Sequence, residues 1–271
     1  LNQWLVSRLG EEIGPQQTFT RFKAFVEHDS GQKMGDLLPT IKQQADLYEA
    51  WTVAADEKDR QLSPVELSVY RMKANEVELL KPLLIWLHTP GRELPRAVVD
   101  AVVAAAESWI VRRMFLRLTT SDLGRVVADV IRVHSDASAS EIVERVTSHL
   151  SRLNASSTYW PGDAEIRKAL STEAAYRRFR VARLRVFLEA IENEFRRATN
   201  QPQVPRRGYP IEHILPQKWQ DHWAVDGLEA EVERAAHVHR LGNLTLLTTS
   251  LNSKVSNAAW NVKRDALLVH D

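Results

Sequence analysis

A proline-rich stretch divides the 271-residue chain into two parts of different character. The twelve residues 199–210, TNQPQVPRRGYP, contain three prolines and one glycine. A helix cannot run through them, because proline lacks an amide proton and its ring clashes with the preceding turn. Before the stretch, apolar residues recur at the three-to-four spacing of helices; after it, short alternating runs are typical of strands. The sequence therefore predicts helices up to about residue 198 and mixed structure beyond 210.

The region before the prolines contains one helical segment after another. Segment 63–88 opens with Ser63, Pro64 and Glu66, a combination that predicts a capping box at a helix start. Segment 94–118 is rich in alanine and valine, which indicates burial, and segment 172–198 predicts one long helix. Short polar links join the segments, which favours a compact array. We expect residues 1–155 to form a multi-helix connector or scaffold.

The region after the prolines follows the order strand, insertion, strand, helix. Residues 209–215, YPIEHIL, and 241–248, LGNLTLLT, each predict a short strand. The residues between them, 218–240, predict a long irregular insertion, because a tight hairpin needs only a few residues. Residues 249–270 have a helical pattern again.

Composition excludes several classes of protein. At 44% hydrophobic residues the chain can form one large core or two modest ones. Its net charge of +1 gives no overall electrostatic field that would attract a nucleic acid or a membrane. The absence of cysteine excludes disulfides, a thiol nucleophile and a cysteine-bound zinc, and it fits a cytoplasmic protein. No apolar run is long enough to span a bilayer, and no glycine-rich loop could bind a nucleotide.

Four polar residues lie in order along the strands and the helix that follows. Glu212 and His213 lie in the first strand, Asn243 precedes the second, and Asn252 comes at the start of the last helical segment. Phosphodiester hydrolysis needs a base for water, a divalent metal and a group that orients the base. Imidazole, with a reference pKa of ~6.5, suits the base, and oxygen donors suit a hard cation. Taken singly, three of these residues also have purely structural explanations. His213 fits a buried core histidine, Asn243 a turn residue and Asn252 a helix cap.

Three short motifs carry a resemblance to a known family. IEHILPQ, LGNLTLL and LNSK, with the lead-in YWPGDAEIRKAL, resemble the HNH (His-Me finger, ββα-metal) nucleases, in particular the domain at the C-terminus of GmrSD-type and SspE-type restriction proteins. The resemblance covers about residues 158–268. It implies a mainly α fold, a multi-helix array followed by a C-terminal ββα-metal finger. Residues 156–271 would be the nuclease domain, with the finger core at about 208–268.

The resemblance also implies roles for the four polar residues. His213 matches the general base, Glu212 the acidic metal ligand before it, and Asn243 the residue that orients the histidine. Asn252 matches the metal ligand on the helix, where many relatives have histidine. An asparagine in that place favours Mg²⁺ or Mn²⁺ over softer metals.

Five further residues are candidates for contacts around such a site. Lys254 lies near the position of a phosphate-contacting lysine, and Asn257 and Lys263 match the last helix of the family. Arg177 and Arg180 belong to a basic run, YRRFRVARLR, and lie on the same helical stripe as the apolar residues that follow. Such arginines pair internally or bind DNA phosphates.

Three histidines of the insertion and three tryptophans that flank the candidate site give weaker signals. No spacing among the histidines is diagnostic of a second metal site, so we expect them to be solvated loop residues. The tryptophans are expected to anchor a small finger that has no cysteines. The residues concerned are His222, His237 and His239, and Trp219, Trp223 and Trp260.

Together with these patterns, the resemblance implies a metal-dependent DNA endonuclease that nicks or cuts foreign DNA for a bacterial anti-phage restriction system. The chain is expected to be a piece of a longer protein with an N-terminal nucleotide-hydrolysing domain; its oligomeric state is not indicated. Two alternatives remain open. One is a catalytically inactive helical module that binds DNA or protein. The other is an RNase with an arginine–histidine pair, for which Arg21 and His28 are candidates.

Overall fold

The computed structural model describes residues 1–203, 205 and 208–269, and the chain forms two compact units. Unit 1 comprises Leu1–Glu57 and Leu62–Gly162, and unit 2 comprises Lys58–Gln61 and Asp163–Asp271. Helices dominate both units, which confirms the mainly α prediction. Among the described residues, none of the helices has the length and apolarity that crossing a lipid bilayer requires.

Unit 1 is a helical array around one main hydrophobic core. Its helices are α1 Asn2–Leu9, α2 Thr18–Ala24, α3 Met34–Asp56, α4 Pro64–Ala74, α5 Lys81–Leu87, α6 Arg96–Phe115, α7 Leu123–Val133 and α8 Ile142–Ser151, with a 3₁₀ turn at Pro15–Gln17 and a π turn at Phe25–Asp29. Helices α3 to α8 supply the core, in which Trp109 is completely buried. A smaller cluster surrounds Trp4 of α1. The predicted burial of segment 94–118 is confirmed by α6, whose inner face lies in the main core.

The start of α4 forms as its sequence predicts. The Ser63 hydroxyl accepts a hydrogen bond from the Glu66 amide, and the Glu66 carboxylate accepts one from the Ser63 amide. Segment 63–88 nevertheless forms two helices, with Glu76 between them at a φ of 59°. Pro82 stands near the start of the second helix, where its missing amide proton costs nothing; inside one long helix it would break the hydrogen-bond ladder.

Unit 2 combines helices with a two-stranded sheet. Its elements are α9 Asp163–Thr172, α10 Ala175–Arg178, α11 Val181–Ala198, β1 Ile211–His213, α12 Gln220–Trp223, α13 Leu228–Val238, a 3₁₀ turn at Leu241–Asn243, β2 Leu244–Leu246, α14 Thr249–Val255 and α15 Trp260–Leu268. The strands are antiparallel, and His213 pairs with Leu244. Both strands predicted by the sequence are present, each three residues long.

The predicted long helix over 172–198 is wrong. The chain leaves the helical conformation at Phe179 and Arg180, which are extended, so α10 and α11 are separate helices. Phe179 is buried, and its ring packs edge-on against Phe187 of α11 at 5.4 Å between centroids. This tertiary contact overrides the helix propensity of a stretch that contains neither proline nor glycine.

Two predictions for the tail also need correction. The insertion 218–240 is not irregular, because α12 and α13 occupy most of it. The segment 249–270 contains two helices, α14 and α15, and Ser256 between them has a φ of 28°. At the start of α14, the Thr248 hydroxyl accepts a hydrogen bond from the Leu251 amide, so Thr248, and not Asn252, caps this helix.

Candidate active site

His213 is the last residue of β1, and its imidazole lies inside unit 2 with 5% of the residue exposed. The Tyr176 ring meets it edge-on at 4.4 Å between centroids, and the His239 ring lies 5.6 Å away at 89°. Burial, the largest cause, together with the nearby His239 and Lys263, lowers the pKa of His213 to about 4. The imidazole is therefore neutral at pH 7 and has a lone pair that can accept a proton.

Glu212 and the backbone of His213 are joined through one lysine. Lys263 of α15 is completely buried; its Nζ donates to Glu212 Oε1 at 2.7 Å and to the carbonyl oxygen of His213 at 2.6 Å. Neighbouring strand residues point to opposite faces, so one site can use both only if the strand bends or ends. β1 ends at His213, and Lys263 holds that end. Lys263 therefore positions the Glu212–His213 pair.

Asn243 holds backbone segments rather than an imidazole. Its Nδ2 donates to the carbonyl oxygens of Leu215 at 2.9 Å and Val238 at 2.8 Å, and its Oδ1 accepts from the Leu215 amide at 2.7 Å. These bonds tie the chain just after His213 to the chain just before His239. Any effect of Asn243 on the His213 ring is therefore transmitted through the backbone.

Replacing Asn243 by alanine should destabilise unit 2 by about 1–3 kcal/mol, because it leaves polar backbone groups of Leu215 and Val238 without partners. Hydrogen exchange at the Leu215 amide, which donates to Asn243 Oδ1, measures the loss within unit 2. Asn261→Ala is the matched control, since Asn261 is exposed on α15. Unchanged exchange at Leu215 would contradict the role assigned to the side chain.

The remaining tail candidates differ in their surroundings. The Oδ1 of Asn252, in the middle of α14, is buried and has no hydrogen-bond partner among the described residues. Lys254 is exposed on the same helix, and Asn257 lies in the turn that follows. The unpartnered oxygen keeps Asn252 a candidate ligand.

The two candidate arginines are not on one helical stripe. Arg177 is exposed on α10, and Arg180 is exposed in the extended break before α11. The helical periodicity that connected them to the apolar residues of α11 therefore does not apply. Arg177 does lie near the site. Burial is the larger cause of the lowered pKa of His239, and the positive charge of Arg177 lowers that pKa further.

His239 is a site residue that sequence reasoning missed. It was expected to be a solvated loop histidine, but it lies directly after α13 and is buried. The Tyr176 ring stacks on it at 16° and 5.8 Å between centroids, and its carbonyl accepts from the Tyr176 amide at 3.0 Å. Its only sequence signal is its position four residues before Asn243. By contrast, His222 is exposed, and His237 bonds to a carbonyl of its own helix.

The tryptophans pack only in part as the sequence predicts. Trp219 is buried, whereas Trp260 is 47% exposed although its ring meets Trp223 edge-on at 6.0 Å between centroids. The Trp223 Nε1 donates to the carbonyl oxygen of Ala258 at 3.1 Å. This contact joins α12 in the insertion to the start of α15, the helix that carries Lys263.

In unit 1, the residues of the RNase alternative do not form a pair. The Arg21 guanidinium donates to Glu11 and Asp29, and the His28 side chain is exposed beside Glu27. The guanidinium of Arg21 is thus bonded to carboxylates and not to His28, with which such a site would need it to pair.

Comparison with known proteins gives one match. Residues 160–271 match the family model for GmrSD restriction endonucleases, C-terminal domain. Neither a curated protein nor a solved structure matched the chain. The matched residues contain all the tail candidates as well as Tyr176 and His239. The part of the chain that places His213 at the end of β1 is therefore similar to the C-terminal domain of GmrSD restriction endonucleases.

Proposed function

We propose that unit 2 is a metal-dependent DNA endonuclease of the HNH type, the effector of a bacterial anti-phage restriction system. The observation that carries this proposal is the restriction-endonuclease match over 160–271, with a buried, neutral His213 at the end of a strand inside it. The longer protein would include an N-terminal nucleotide-hydrolysing domain. The ββα finger would be formed by β1, β2 and α14, which follow one another in that order.

His213 acts as the general base in this proposal. A neutral imidazole takes a proton from water, and the resulting hydroxide attacks phosphorus. Because the pKa of His213 is lowered to about 4, chiefly by burial, the ring is unprotonated at neutral pH and its lone pair is available. Lys263 holds the backbone of His213 in place during the step through its bond to the carbonyl oxygen.

In this proposal Glu212 and Asn252 would hold a hard divalent cation. Asn252 offers a buried, unpartnered oxygen, and Glu212 offers a carboxylate that is not fully buried. In residues 1–203, 205 and 208–269 no three His, Asp or Glu side chains are grouped to hold a metal ion. Mg²⁺ and Mn²⁺ suit a site with few protein oxygens, because Mg²⁺ keeps several waters and also binds phosphate. When bound, such a cation neutralises the phosphate and stabilises the leaving 3′ oxygen.

DNA contacts would come from exposed cations of unit 2. Arg177 and Lys254 are exposed, and Arg180 is exposed in the break before α11. Phosphate contacts of this kind release counterions, so DNA affinity falls as salt rises. The slope of affinity against salt measures their number.

One observation favours an alternative, a module that binds DNA or protein without cutting. The Glu212 carboxylate already accepts a hydrogen bond from the buried Lys263 ammonium at 2.7 Å. The positive charge of Lys263 offsets the negative charge that Glu212 would contribute as a metal ligand. A binding module needs no metal, so the ion pair would serve only to stabilise its fold.

Nicking of supercoiled plasmid separates the two functions. We expect the purified chain to nick DNA with Mg²⁺ or Mn²⁺ and to lose the activity in EDTA. The Asn252→Leu variant should need a higher Mg²⁺ concentration for half-maximal activity, whereas Asn261→Leu, changed on the exposed face of α15, should not. DNA binding without nicking at any metal concentration would support the binding module, and equal nicking in EDTA would exclude metal dependence. Single-stranded RNA tests the RNase alternative.

A further inference from the structure

Two buried imidazole nitrogens in unit 2 lack partners and belong to adjacent rings. The Nε2 of His213 and the Nδ1 of His239 are both buried, and neither has a hydrogen-bond partner among the described residues. The two ring centroids are 5.6 Å apart, and the rings are perpendicular. A buried polar nitrogen without a partner carries a desolvation cost, so two such atoms in neighbouring rings call for an explanation.

The same chain contains a histidine pair that shows what this arrangement permits. In unit 1, the rings of His134 and His149 are 5.3 Å apart at 77°, and His134 Nε2 lies 3.2 Å from His149 Nδ1. The same two kinds of nitrogen are therefore hydrogen-bonded at a centroid distance only slightly shorter than that of the pair in unit 2. An approach of the two rings that brings His213 Nε2 to His239 Nδ1 would form the same bond there. Catalytic hydrogen bonds are often long in a free enzyme and shorten with substrate.

We propose that His213 and His239 form a histidine dyad, in which the Nε2 proton of His213 is donated to the Nδ1 lone pair of His239. In neutral imidazole only one nitrogen carries a proton, so a proton held on Nε2 leaves the lone pair of His213 on Nδ1. His239 is thus the positioning residue that selects the tautomer and the ring orientation of His213. This inference rests on the proposed function, in which His213 accepts a proton from water.

The surrounding contacts hold both rings in the orientation that the dyad needs. The Tyr176 ring stacks on His239 and meets His213 edge-on, so it fixes the angle between them. Asn243 ties the carbonyl groups of Leu215 and Val238, which places the backbone segments of both histidines. The sequence resemblance gave the orienting role to Asn243; the structure supports a division in which Asn243 sets the backbone and His239 the ring.

Nuclear magnetic resonance of the ¹⁵N-labelled full chain tests the dyad directly. A scalar coupling between His213 Nε2 and His239 Nδ1, transmitted across the hydrogen bond, is expected with DNA and Ca²⁺ bound. The His134–His149 pair provides the positive control in the same spectrum. The coupling should vanish in His239→Leu. Its absence from the wild type, while the His134–His149 coupling is observed, would overturn the dyad.

Activity adds a second readout. His239→Leu should lower the nicking rate constant about 10- to 100-fold, as loss of an orienting partner does, without changing DNA affinity. His239→Asn, which keeps an acceptor close to the position of Nδ1, should recover most of the rate, and the exposed control His222→Leu should retain all of it. Equal rates for the leucine and asparagine variants would contradict the dyad. If the wild type does not nick DNA, the proposed function fails, while the coupling still decides whether the dyad exists.

Discussion

Replacing His213 by alanine should reduce plasmid nicking by about 10²- to 10⁴-fold, the contribution of a general base. In the wild type the imidazole is buried, neutral and placed at the end of β1 by a lysine bond to its own carbonyl. Alanine keeps that backbone bond but removes the only group in the proposed site that takes the proton from water. The measurement is the rate constant of nicking at saturating Mg²⁺ and DNA.

A loss of activity through unfolding must be separated from a loss through chemistry. The alanine leaves a cavity between Tyr176 and His239, so some destabilisation is expected. Hydrogen exchange at β1 and β2 shows whether the sheet remains, and DNA affinity shows whether binding does. His222→Ala, changed at an exposed histidine of the insertion, should keep the wild-type rate. Wild-type nicking by His213→Ala would refute the assignment of the base.

Replacing Lys263 by methionine should destabilise unit 2 by about 3–5 kcal/mol. Methionine fills a similar volume but leaves the Glu212 carboxylate, with only 13% of its side chain exposed, without its counter-charge. It also leaves the carbonyl oxygen of His213 without its donor. Hydrogen exchange at the β1 and β2 amides measures the effect within this unit, where a single unfolding curve of a two-unit chain would not.

A double-mutant cycle shows whether the ion pair is the cause. In the Glu212→Gln background there is no carboxylate to leave uncompensated, so Lys263→Met should cost less than it does alone. Lys218→Met is the matched control, because Lys218 is exposed before α12 and should tolerate the change. The same loss in both backgrounds would show that Lys263 acts through packing or the carbonyl bond and not through Glu212.

Features with local causes could be predicted from the sequence. The capping box of Ser63 and Glu66 involves residues three apart, and the structure contains it. The short strands around His213 and Leu244 follow from alternation and flanking prolines or glycine. The restriction-type resemblance of the tail is supported by the match over 160–271. Each of these signals is contained within a short window.

Features that depend on distant contacts could not be predicted in this way. No local signal breaks the helix at Phe179, because the cause is the packing of its ring on Phe187. Lys263 lies 51 residues from Glu212 in sequence, so the ion pair has no spacing rule. No spacing in the sequence distinguishes His239 from a solvated loop histidine, because its burial depends on packing against Tyr176 of α10. Tertiary contacts decided all three.

The shortness of the sheet determines which segment of the chain must be transferred for the site to stay intact. β1 and β2 have three residues each, and an isolated two-stranded sheet is marginal in water. One wall around the imidazole comes from Tyr176, well upstream of the strands. A graft of residues 208–268 into another protein would leave that wall behind, whereas a graft that begins before α10 would carry it. Recombination between relatives that separates α10 from the two strands would therefore remove Tyr176 from beside His213.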